Sequence, residues 1–80
     1  MSISRTVGLP NGDVLIEFAT IPGRIYAVQY SSDLVTWQTA VPVITASANR
    51  VLWIDAGPPQ TASSPANVPV RYYRVILLPQ

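Results

Sequence analysis

Arg24-Ile25-Tyr26-Ala27-Val28-Gln29-Tyr30-Ser31-Ser32-Asp33-Leu34-Val35-Thr36-Trp37 reads as a strand, a polar turn and the start of a second strand. Tyr26, Val28 and Tyr30 alternate with Ile25, Ala27 and Gln29, which is the two-residue period of an extended chain. The tyrosine side carries the larger apolar area and is assigned to the core. Ser31, Ser32 and Asp33 have short polar side chains that bond nearby backbone amides, so they make the turn. Trp37 is placed as a plug closing the hairpin.

Outward from this stretch the chain continues as short apolar runs cut by turn residues. Ile3 to Leu9 is an edge strand ended by Pro10, and Pro10-Asn11-Gly12-Asp13 is a turn that supplies positive φ. Val14 to Ala19 follows, with Val14, Ile16 and Phe18 on the core side and Leu15, Glu17 and Ala19 toward solvent. Val35 to Ile44 is expected as one strand interrupted at Pro42, and Arg50 to Asp55 as the next. Residues 56–69 hold four prolines and form a long loop without regular structure. Val70 to Leu78 is the last strand, with Tyr73, Val75 and Leu77 on one face and Tyr72, Arg74 and Ile76 on the other. Arg24-x-Tyr26-x-Val28 is echoed by Arg71-x-Tyr73-x-Val75, which places both strands centrally with Tyr26 and Tyr73 facing one core. Eight prolines and four glycines leave no window with a helical stripe. The expectation is a single all-β domain over residues 1–80, a small antiparallel β-sandwich of about six strands.

Composition narrows the chemistry. Eighty residues bury only about 60–65% of their unfolded surface, so domains of this size usually need a staple or a partner. Cysteine and histidine are absent, which excludes disulfides and Cys/His zinc sites. Hydrophobic residues make up 49% and charged residues 11%, against about 25% charged in a typical domain. Some apolar side chains must therefore face outward or meet another chain, which predicts self-association or docking to a larger chain. A net charge of +1 argues against nucleic acid. No run reaches the ~18 apolar residues of a membrane span, and Met1 to Arg5 has no signal-peptide h-region behind it. Met1 is either a native start or was added to a module cut from a longer chain.

Tyr26-x-Val28-x-Tyr30 with the late Tyr73-Arg74-Val75 resembles fibronectin type III and related immunoglobulin-like sandwiches. In that mapping residues 24–31 are the third strand, 71–77 the sixth, and Tyr73 the tyrosine-corner candidate. The chain departs from the pattern in being shorter than ~100 residues and in lacking a tryptophan in its second strand. Gly23 to Trp37, Asp55 after Trp53-Ile54, and Arg71 to Val75 more closely resemble a C-terminal β-module of large secreted or surface proteins of Verrucomicrobia-like bacteria. That match spans residues 13 to 78. The resemblance implies the fold and carries no activity or cofactor.

Serine or cysteine nucleophiles lack a His base here, and serine–lysine variants lack a lysine. Asp13, Glu17, Asp33 and Asp55 are the side-chain carboxylates; turn-forming roles account for Asp13, Asp33 and Asp55, so no catalytic pair is expected. A calcium site from Asp33, Asp55 and backbone carbonyls is the metal arrangement these residues allow, but none is assigned. Trp37, Trp53, Tyr72 and Arg74 are the binding candidates: the tryptophans could stack on a sugar, and the Tyr72–Arg74 face could serve an interface. Trp53 shares a face with Val51 and Asp55 and is read as either packed or rim-exposed. The expected function is a non-catalytic structural or interaction module, an extracellular or surface appendage that docks or anchors. Its rivals are a self-assembling virion or shell component and a carbohydrate-binding module with a glycan partner.

Overall fold

The structure, a computed structural model, describes residues 3–79; the terminal Met1, Ser2 and Gln80, and with them the reading of Met1 as a start, lie outside the described residues. Seven strands are present among them: β1 (Ile3–Gly8), β2 (Val14–Ala19), β3 (Ile25–Ser31), β4 (Gln38–Thr39), β5 (Ile44–Thr45), β6 (Arg50–Asp55) and β7 (Tyr72–Leu77). They form a small antiparallel β-sandwich. One sheet has the order β1-β2-β6, and in the other β3 is the centre for β4, β5 and β7.

Alternate residues of an antiparallel strand direct their backbone groups to opposite sides. The Val28 carbonyl accepts from Ala40 N–H and the Arg24 carbonyl from Ala46 N–H, while the Ile25 carbonyl accepts from Leu78 N–H. β4 and β5 therefore follow one another along one side of β3, and β7 has the other side. β7 pairs only with β3 and so lies at the sheet's edge, not centrally as the Arg-x-Tyr-x-Val echo predicts. The echo reflects a shared face: Tyr26 and Tyr73 both point inward.

The inward residues are those the alternation selects. Ile16, Phe18, Tyr26, Val28, Tyr30, Trp53 and Val75 build one core, with Ala40 and Ala46 beneath the short strands and Val14, Val51 and Tyr73 packed against it. Phe18 from one sheet meets Tyr26 from the other edge-on, ring centroids 6.0 Å apart at 60°. Such a pair contributes about 0.5–1.5 kcal/mol beyond the area it buries. On the outer face Glu17 sits between Arg5 and Arg50, 3.1 Å from each, tying β1, β2 and β6 together.

The expected single strand from Val35 to Ile44 is replaced by two two-residue pieces. The Asp33 carboxylate accepts the N–H groups of Val35 and Thr36 at 2.9 Å, and Ser31 Oγ accepts those of Asp33 and Leu34. These bonds hold Val35 and Thr36 in the turn, where Val35 is 81% exposed. Pro42 then has no N–H to give to a ladder, which separates β4 from β5. The final strand begins at Tyr72, two residues later than expected.

Candidate functional site

β6 ends in one sheet where β7 begins in the other, and residues 56–71 join them. Asp55 closes β6 with its side chain turned into the sandwich and fully buried. A buried carboxylate is costly unless every lone pair is matched. Here Oδ1 accepts from Gly57 N–H at 3.0 Å and Thr61 Oγ1 at 2.7 Å, and Oδ2 from Arg71 Nη1 at 2.8 Å and Tyr73 Oη at 2.7 Å. Burial pushes the Asp55 carboxyl upward, but its donors Thr61, Tyr73, Gly57 and Arg71 outweigh that and hold it below the usual aspartate value. Burial, reinforced by the bond and charge of Asp55, pushes the Tyr73 phenol well above its ordinary value.

Arg71 extends the cluster into the loop. Its Nη1 donates to the Ser63 carbonyl at 2.8 Å and its Nη2 to Ser63 Oγ at 2.7 Å, and its guanidinium lies 4.9 Å from the Tyr30 ring centroid. Tyr30 Oη in turn accepts Ala62 N–H at 2.8 Å, and the Gln60 carbonyl accepts Val41 N–H at 3.0 Å. The proline-rich segment is thus fastened to both sheets, with a single 3-10 turn at Pro65–Asn67. Between it and the 31–38 turn lies a groove of about 290 Å³ whose lining includes Tyr30, Ser32, Thr36, Gln38, Ser63 and Arg71.

Chemically this cluster is a closed account of donors and acceptors. A carboxylate with four donors and a lowered pKa is a poor general base, and Thr61 is itself buried. Asp33 is spent on its own turn, where the Thr36 and Val35 amides and the Ser31 hydroxyl hold its pKa low. No group of three or more acidic, His or Cys side chains gathers among the described residues.

The sequence-derived binding candidates separate. Trp53 lies in the core at 7% exposure, its ring edge-on to Tyr73 at 6.4 Å and 67°. Trp37 is half-buried on the outer face of the β3 sheet, with the Arg74 guanidinium 4.1 Å from its ring centroid. Arg74 also donates from Nε to Gln29 Oε1 at 2.7 Å. Trp37 therefore covers that outer face through Arg74, and the core is closed without it. Tyr72 is exposed at the start of β7. Tyr73, the tyrosine-corner candidate, gives its hydroxyl to a carboxylate on the other sheet; the tyrosine that reaches backbone five residues upstream is Tyr26, whose Oη accepts Ile21 N–H at 2.8 Å.

Two features escaped sequence reasoning. Thr61 and Arg71 are ordinary loop residues until Asp55 is known to point inward. Leu52 and Ile54 stand 60% and 43% exposed on the outer face of β6, beside Leu15 of β2 with Val7 of β1 beyond. A signal for them was present: Arg50-Val51-Leu52-Trp53-Ile54-Asp55 carries large apolar residues on both faces, the pattern of a strand covered on both sides. No family model, curated protein or solved structure matches this chain.

Proposed function

We propose that the chain is a non-catalytic docking module, an extracellular or surface appendage that anchors or spaces a larger assembly. The observation behind this reading is the outward apolar strip of exposed Leu52 and Ile54 flanked by half-buried Leu15 and Val7, set against a polar cluster whose groups are occupied by one another. Apolar strips on small domains are surfaces for partners. The resemblance of residues 13–78 to C-terminal β-modules of large surface proteins, and to fibronectin type III sandwiches more broadly, points the same way.

The test is to fuse the chain to a soluble reporter enzyme, express it in a bacterium, and follow whether the fusion partitions with envelope fractions. Partitioning that is lost on Leu52→Glu with Ile54→Glu supports the reading. A fusion that partitions like the bare reporter would sink it.

A further inference from the structure

We infer that β6 is a self-pairing edge: a second copy of this chain adds its own β6 antiparallel to it across a two-fold axis, joining two three-stranded sheets into one of six. This goes beyond the docking reading, because edge pairing leaves the outward strip of each copy open to a further partner. The Thr20 N–H donates to the Asn49 carbonyl at 2.9 Å, and the β2–β6 register runs without a break from Ala19↔Arg50 to Val14↔Asp55. Because bonded pairs alternate along an antiparallel ladder, Val51, Trp53 and Asp55 bond to β2. The N–H and C=O groups of Arg50, Leu52 and Ile54 then point away from β2, and no other strand among the described residues pairs with β6.

The other edges are closed in ways β6 is not. β1 has a register shift between Ile3 and Arg5 and exposes Ser4, Arg5 and Thr6. The β4/β5 side is two short pieces with Pro42 between them. On β7 the edge-facing backbone belongs to Tyr73, Val75 and Leu77, and Val75 is only 2% exposed. β6 has six regular residues, no proline, no glycine and no bulge, and its one exposed charge, Arg50, is tied back onto Glu17 of β2. Prolines, bulges and free charges are the devices that normally protect an edge.

The occupant follows from symmetry. Antiparallel pairing centred on Leu52 sets Leu52 against Leu52 of the second copy and Arg50 against its Ile54, so every free donor meets an acceptor. The apolar strips of the two copies become continuous. Each Arg50 keeps its own Glu17, and a net charge of +1 per chain opposes association little. One strand pair buries area at the low end of specific interfaces, below ~1,200 Å², so the dimer is concentration-dependent.

Sedimentation velocity on the whole chain over a wide concentration range tests this, together with amide hydrogen exchange. The expected result is a monomer–dimer equilibrium in which the Leu52 and Ile54 amides slow as concentration rises while Trp53 does not change. Leu52→Lys, at an exposed side chain, should abolish dimer with the circular dichroism unchanged. Leu52→Pro, which removes an outward N–H and none that bonds to β2, should do the same, and Thr6→Lys on β1 should leave association intact. A chain that stays monomeric, or a dimer indifferent to Leu52→Lys, overturns the proposal. If the reporter fusion still partitions while the chain is monomeric, the docking reading survives and the second-copy partner does not.

Discussion

Tyr73 donates its hydroxyl to the Asp55 carboxylate across 2.7 Å, joining the edge strand of one sheet to the edge strand of the other. Arg71 reaches the same oxygen from the adjoining loop at 2.8 Å. The two sheets are therefore held together by a polar stitch at one end of a core that is otherwise apolar.

Removing the acceptor should cost most. Asp55→Ala leaves the buried Arg71 guanidinium without its counter-charge, and about 3–5 kcal/mol of stability should be lost. Tyr73→Phe removes one bond to a charged acceptor, about 1.5–3 kcal/mol. Urea denaturation of the two variants and their double mutant should show losses smaller than additive, since both act on one network.

Acid should open the stitch. The Asp55 carboxyl is held below its ordinary value of about 3.9, so its contribution is fully present above that pH and is lost as pH falls through and below it. Stability measured against pH should be level above about pH 5 and decline below it, and Asp55→Asn should flatten the decline. The Tyr73 phenol shifts the other way. Its contribution is present below the ordinary tyrosine value of about 10 and is lost as pH rises beyond it.

Gly57 should resist substitution. Its φ of 84° lies in the left-handed region, and an added Cβ would come 2.9 Å from the Ser64 Cα, a backbone atom. Gly57→Ala should cost about 2 kcal/mol, enough to lower the melting temperature of a domain this size by roughly 8–16 °C. Gly8→Ala, where a Cβ meets nothing within 4 Å, is the control and should shift it little.

The two tryptophans should respond differently. Trp53→Ala empties a core position and should cost about 3–5 kcal/mol. Trp37→Ala removes an outer-face contact with Arg74 worth about 0.5–1 kcal/mol. Iodide should quench Trp37 emission in preference to Trp53; equal quenching would contradict the placement of Trp53.

Period-two alternation located β2 and β6 to the residue and β3 to within one residue at each end, Ser31 closing the strand instead of opening the turn, because burial on one face repeats at every second position and turn residues mark both ends. It over-extended the segment after Ser31, because Val35 is a strong strand former while the bonds that hold it in a turn come from the Asp33 carboxylate. The stitch was not legible for a related reason. Asp55 reads as a turn residue beside Gly57, and nothing local says that its side chain points inward toward Arg71, sixteen residues on. The bare outer face of β6 was half-legible: the two-sided apolar pattern is in the sequence, but only the fold shows that Leu52 and Ile54 lack a cover, and only the sheet order that β6 is an edge.

The saturation of Asp55 also constrains how such a domain can change over generations. Positions 55, 61, 71 and 73 are four letters in the chain but one unit to selection. Replacing any single member strands a buried charge or an unmatched oxygen, whereas an apolar quartet of similar volume could fill the space at little net cost. The route between those two solutions passes through weaker intermediates. Lineages carrying this fold are therefore expected to keep all four polar residues or to exchange them together.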